Sequence, residues 1–230
     1  MLYHLFTYLD TAYDLPGAGL FKFVTFRAAM SLLTSLIIGI SFGKTIIEWL
    51  QLKQVGEIVR DLGLQGQIEK RGTPTMGGII ILTAILVPTL LFADLTNVYT
   101  HMMIIATIWL GTIGFIDDYI KVHKQNKDGL AGKFKIVGQI GVGIIIGAIM
   151  MWHPDVLIKE LGADGIWNEI RSTTTTIPFI KGNSFDYVWL IDWAVEDVSM
   201  WVWVAFIPTV ILIVTAVSNG ANLTDGLDGL

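Results

Sequence analysis

The chain has 230 residues, of which 53% are apolar and only 15% charged, and its mean hydropathy is strongly positive. That combination excludes an ordinary water-soluble domain and gives no reason to expect a nucleic-acid partner, so the chain is expected to be an integral membrane protein working in a lipid bilayer. Cysteine is absent, which leaves oxygen and imidazole as the only metal donors, and the net charge of −5 matters less than where the charges fall.

Residues 1–23, with Tyr3, Phe6, Tyr8, Phe21 and Phe23, read as a short interfacial helix. A first membrane span is expected from Val24 to Gly43. It starts too late and runs too long for a signal-peptide core and is followed by no small-x-small cleavage site, so it reads as retained. Arg27, near its outer end, is expected to snorkel to the interface. The segment 44–76 follows as a basic loop carrying Lys44, Lys53, Arg60, Lys70 and Arg71. It closes on Glu69-Lys70-Arg71-Gly72-Thr73-Pro74-Thr75-Met76-Gly77-Gly78, where glycines expose backbone N–H groups beside hydroxyls and positive charge. Such a string can cradle a phosphate or nucleotide; it can also be a plain basic entry into a helix whose glycines allow close packing.

Spans are next expected from Gly77 to Ala93 and from Val98 to Ile116, the latter running into Gly114-Phe115-Ile116-Asp117-Asp118-Tyr119. Two adjacent carboxylates at a membrane edge repel each other unless a cation lies near them, which points to Mg²⁺ and phosphate. The bland alternative is a solvated helix end paired with Lys121 and Lys124, but acidic groups at a helix C-terminus are disfavoured by the macrodipole. In the loop 117–133 most lysines read as topology signals; Lys121, one turn beyond Asp117, and Lys133, at the entrance to the next span, are the two expected to face a phosphate. His101, His123 and His153 are isolated and read as structural.

A fourth span is expected from Phe134 to Trp152, and its Gly138, Gly141, Gly143 and Gly147 read as helix-packing positions, since no strand precedes them as a dinucleotide fingerprint requires. The outer segment 153–200 is long enough for a small structured element; Thr173 to Ile180, rich in β-branched residues, reads as one arm of a hairpin. Trp189, Trp193, Trp201 and Trp203 suit an aromatic belt. The fifth span, Trp201 to Ser218, leads into Asn222-Leu223-Thr224-Asp225-Gly226-Leu227-Asp228-Gly229. Polar groups there recur every third residue, so on a helix or 3₁₀ turn Asn222, Asp225 and Asp228 share a face, each Asp followed by a glycine that leaves room for a ligand.

Charge sets the orientation. The two lysine- and arginine-rich loops, 44–76 and 117–133, belong on the cytoplasmic side, whereas 153–200 holds three basic residues against eight acids and belongs outside. Five spans then return the chain to the cytoplasm, which puts Asp117 and Asp118 on the same membrane surface as Asp225 and Asp228. The fold class expected is an all-α polytopic membrane protein, residues 1–230 forming a single membrane domain with a small β-hairpin in its outer loop.

Taken together and in this order, Lys70 to Gly78, Gly114 to Tyr119 and Asn219 to Gly229 resemble the bacterial phospho-N-acetylmuramoyl-pentapeptide transferases, over essentially the whole chain. The Arg71 to Gly78 string sets that group apart from relatives that transfer N-acetylglucosamine phosphate. The resemblance implies a Mg²⁺-dependent transfer from UDP-MurNAc-pentapeptide to undecaprenyl phosphate, forming lipid I and UMP at the cytoplasmic face of the bacterial inner membrane. It also implies roles. Asp117 is a base on the lipid phosphate or a nucleophile, Asp118 assists through metal or substrate, and Asn222, Asp225 and Asp228 organise the metal, diphosphate and uridine region. Asp117, Asp118 and Asp225 are the implied catalytic and metal carboxylates, and Lys70 and Thr75 lie on the nucleotide side. Members of the group are longer, with about ten spans, a further aspartate and a histidine-rich loop, so the chain reads as the N-terminal part, whose activity alone stays open; its outer loop is longer than the resemblance implies, and a homodimer stays open. Two other classes remain: a prenyltransferase, which also presents Asn and Asp clusters to Mg²⁺, and an ion-coupled transporter, whose acids would sit nearer mid-membrane between broken helices.

Overall fold

A computed structural model describes residues 1–53, 76–123, 129–161, 165–172, 174–177, 184–195, 197 and 201–228; for residues 51, 53, 123, 160, 161, 167 and 222–228 it describes the backbone alone. Six helices dominate the described residues: α1 (Leu2–Tyr13), α2 (Val24–Lys53), α3 (Gly78–Phe92), α4 (Val98–His123), α5 (Gly132–Trp152) and α6 (Trp203–Asp228). Two compact units divide the chain, Met1–Gly132 and Lys133–Leu230.

Four of the five expected spans, carried by α2, α4, α5 and α6, are long and apolar enough to cross a membrane. The remaining one, α3, has 15 residues. At 1.5 Å per residue it is about 22 Å long, short of a hydrocarbon core of about 30 Å. Large apolar side chains stay uncovered by protein, Leu32 and Ile40 each 71% exposed, as surfaces meant for lipid should be. Threonines inside these helices turn their hydroxyls back onto the carbonyl four residues earlier, as Thr34 does to Met30, Thr107 to Met103 and Thr209 to Ala205. Lipid offers such a hydroxyl no other partner.

In the first unit α1 is clasped to the end of α3. The last carbonyls of a helix lack intrahelical donors and attract cations. Here the Met1 ammonium donates to the Leu90 and Leu91 carbonyls at 2.8 and 3.3 Å, and the Arg27 guanidinium donates to Phe92 O at 3.4 Å while lying 4.3 Å from the Tyr3 ring centroid. Arg27 therefore does not simply snorkel; it ties α2 to the α3 terminus. Asp14, in the left-handed region, ends α1, and a 3₁₀ turn at Ala18–Lys22 brings Phe21 onto Phe6, with ring centroids 4.1 Å apart.

Within the second unit, β1 (Ile158–Leu161) pairs antiparallel with β2 (Trp167–Ile170), and β3 (Thr174–Thr176) with β4 (Ser184–Asp186). The β3–β4 pair is the expected hairpin. The β1–β2 pair was not foreseen, being only four residues to a strand; a cross-strand Lys159–Glu169 ion pair at 3.4 Å accompanies it. Tyr187, Val202 and Phe206 form the buried core beneath, with the Tyr187 hydroxyl 3.1 Å from Thr175 Oγ1. Arg171 caps α5 by donating to the carbonyls of Trp152 and His153, both at 2.9 Å.

Candidate active site

Helix α4 continues past the apolar run to His123, so Asp117, Asp118 and Lys121 stand on its last two turns and not in a loop. Lys121 Nζ lies 2.8 Å from Asp117 Oδ2, one turn away, and 3.5 Å from Asp118 Oδ1. This ammonium offsets the unfavourable placing of two acids near a helix C-terminus. A solvated helix end would show the same pairing. It would not show the burial, for the Asp117 side chain is only 10% exposed while that of Asp118 keeps 33%. Burying a carboxylate is costly unless charge and hydrogen bonds meet it.

The second partner of Asp117 comes from the chain returning toward α5. Leu130 N–H donates to Asp117 Oδ1 at 2.7 Å, and Gly129 just before it adopts φ +64°. A Cβ at Gly129 would collide with Asp117 Oδ1 and come within 2.8 Å of Lys121 Cε. Only glycine meets both demands, the left-handed backbone and the close approach. Neither Gly129 nor Leu130 is singled out by sequence reasoning; the available signal is Asp128-Gly129, a turn dipeptide beside the lysines.

The other expected site residues are distributed as follows. Lys133 opens the second unit near the start of α5, its ammonium 5.4 Å from the Phe134 ring centroid. Asn222, Asp225 and Asp228 lie on the continuous helical backbone of α6, as the three-residue spacing requires, and their side chains are outside the described ones. Lys70 and Thr75 fall outside the described residues. Among the described residues no group of three or more His, Asp or Glu side chains gathers as a metal cage. Adjacent Asp117 and Asp118 nevertheless supply the hard oxygen donors that Mg²⁺ prefers, and that ion is commonly held by one or two carboxylates plus water and substrate phosphates.

The glycosyl transferase family 4 model matches residues 100–230, which takes in both acidic motifs. The chain belongs to glycosyl transferase family 4. Within that family it carries, at residues 70–82, signature 1 of the phospho-N-acetylmuramoyl-pentapeptide-transferases. It is 55% identical over 240 residues to the phospho-N-acetylmuramoyl-pentapeptide-transferase of Parabacteroides distasonis, an alignment covering all of this chain and 57% of that protein. Against the proteins of the same name from Flavobacterium psychrophilum and Porphyromonas gingivalis the identities are 51% and 48%, again over the whole chain and over 59% and 57% of the relatives. The chain thus spans less than two thirds of the length of these relatives. The resemblance read from the three motifs is borne out.

Proposed function

We propose that the complete protein transfers phospho-N-acetylmuramoyl-pentapeptide from UDP-MurNAc-pentapeptide to undecaprenyl phosphate, giving lipid I and UMP for peptidoglycan synthesis. The observation that carries this is the 55% identity along the whole chain to a relative of that name, an alignment that takes in both acidic motifs. The charge distribution supports a location in the bacterial inner membrane with the reacting groups at the cytoplasmic face.

In the reaction a lipid-phosphate oxygen bonds to the β-phosphorus of the UDP-sugar. The bond from that phosphorus to the bridging oxygen breaks, and the bridging oxygen leaves on UMP. Both reactants are anionic, so their repulsion must be neutralised and their approach held in line. Lys121, poised over two carboxylates, supplies one positive charge beside the reacting oxygens, and Lys133 a second. Asp117 either takes the proton of the lipid phosphate in a single displacement, or attacks the β-phosphorus itself, expelling UMP, and is then displaced by the lipid-phosphate oxygen. Both roles need a carboxylate fixed in direction, which the Leu130 N–H and Lys121 contacts supply. Asp117, Asp118 and Asp225 would hold Mg²⁺, which when bound neutralises diphosphate oxygens. Asn222 and Asp228 would bind the diphosphate and uridine, with Lys70 and Thr75 at the nucleotide.

Asp117→Asn tests the assignment. It keeps the shape of the side chain and removes its charge, and it should lower Mg²⁺-dependent UMP release from membranes at least 10³-fold at unchanged protein level. Turnover within threefold of wild type would remove Asp117 from the chemistry.

A further inference from the structure

One buried polar group within the membrane is used by none of the steps above. Gln139 lies on α5 in an otherwise apolar, glycine-rich run and is 5% exposed. Its Nε2 donates to Ser218 Oγ at 2.9 Å, and its Oε1 accepts from Asn219 Nδ2 at 2.9 Å. Asn219 Nδ2 also reaches the Thr215 carbonyl of its own helix at 2.8 Å. One α5 amide is therefore bound through both ends to adjacent residues of α6, where lipid would leave it without partners.

Glycines bring the two helices close enough for this. A Cβ on Gly143 would stand 2.9 Å from Ile211 Cα, and one on Gly147 3.3 Å from Ile207 Cγ1. Glycine contacts alone permit sliding and rotation. The amide does not, because its donor and acceptor ends must meet two different α6 residues simultaneously, which fixes both the rotation of α6 and its depth. Beyond the clasp the helical backbone runs on unbroken, with Asn222 and Asp225 four and seven positions after Ser218, on the same stripe of the helix.

We infer that Gln139, Ser218 and Asn219 are positioning residues for the transfer: the clasp sets the rotation and depth of the α6 turn that carries Asn222 and Asp225. The inference rests on the transferase reading, in which that turn serves the nucleotide donor. Its signature is selective. Loss of the clasp weakens use of the UDP-sugar and leaves the lipid substrate alone, whereas a merely structural role lowers the amount of active protein without changing either KM.

The test uses the complete protein in membranes. Gln139→Leu should raise KM for UDP-MurNAc-pentapeptide at least tenfold and leave KM for undecaprenyl phosphate within twofold. Ile144→Ala, at an exposed position of the same helix away from the clasp, should leave the donor KM unchanged. A second readout is independent of turnover. Spin labels at Val137→Cys and Val217→Cys, both exposed positions in a chain segment without cysteine, should give a narrow distance distribution that broadens when Gln139→Leu is added. If Gln139→Leu fails to insert, Ser218→Ala removes one partner only and should move the same two readouts in the same direction by about threefold in KM. A wild type that releases no UMP overturns the transferase reading and the inference with it. An active wild type whose clasp variants keep donor KM and label distances unchanged overturns the inference alone.

Discussion

Asp117 owes its setting to a glycine twelve residues along the chain. Gly129 adopts a left-handed backbone and passes so close to the Asp117 and Lys121 side chains that a Cβ there would displace one of them. An alanine there carries a backbone cost of roughly 1–2 kcal/mol, and its methyl group must push either the carboxylate or the ammonium away. Gly129→Ala should therefore reduce UMP release at least 100-fold while membrane insertion stays near normal; turnover within threefold of wild type, measured on quantified protein, would show that the Leu130 contact does not matter. Adjacent acids are conspicuous in a sequence, and Asp117, Asp118 and Lys121 could be paired by helix spacing alone. The Leu130 N–H could not, because that contact depends on how a loop folds back onto α4. Gln139 is an intermediate case: a lone amide in an apolar run is visible, but its partners lie on another helix 79 and 80 residues away.

At the scale of elements, the clasp between α1 and α3 has a pH dependence of its own. Asp94, just beyond α3, accepts from both Thr96 N–H and the Thr96 hydroxyl and lies 3.6 Å from His4 Nε2. Its partial burial raises its carboxyl pKa, but the Thr96 hydrogen bonds with the charges of His4 and Arg27 outweigh that and hold it below the usual carboxylate range. A lowered folded-state value favours the folded form wherever the carboxylate is ionised. The contribution is complete above about pH 4, the unfolded range for an aspartate, and is lost as pH falls through the lower folded-state value. The thermal-stability difference between wild type and Asp94→Asn should accordingly be present at pH 6 and shrink progressively as the pH falls below about 4. A difference unchanged across that window would mean that the ionised carboxylate contributes nothing to the clasp. Hydropathy foretold the helices but misplaced their ends. Past Gly43, α2 runs ten residues further with a Lys44–Glu48 pair one turn apart, 3.8 Å between charges, and α4 likewise outruns its apolar stretch. Hydropathy marks the lipid boundary, and helices obey it only as far as their polar ends find other support.

For the whole molecule, the five apolar stretches and their order were legible because a bilayer demands long apolar helices and tolerates little else. The β1–β2 pair was not, since strands of four residues fall below what periodicity resolves, whereas α3, Gly78–Phe92, lies within one residue at each end of the stretch expected for it. Family membership was legible from three polar strings, each beside an apolar run, and the signature at residues 70–82 falls on the first of them. What separates the proposed activity from that of other phosphosugar, prenyl or ion-handling membrane proteins is the choice of donor. The decisive measurement is UMP release by membranes carrying the complete protein, with undecaprenyl phosphate and Mg²⁺, comparing UDP-MurNAc-pentapeptide with UDP-GlcNAc. Release with the muramoyl donor and at least 100-fold less with the other is the predicted result; equal release from both, or none from either by well-inserted protein, would contradict it.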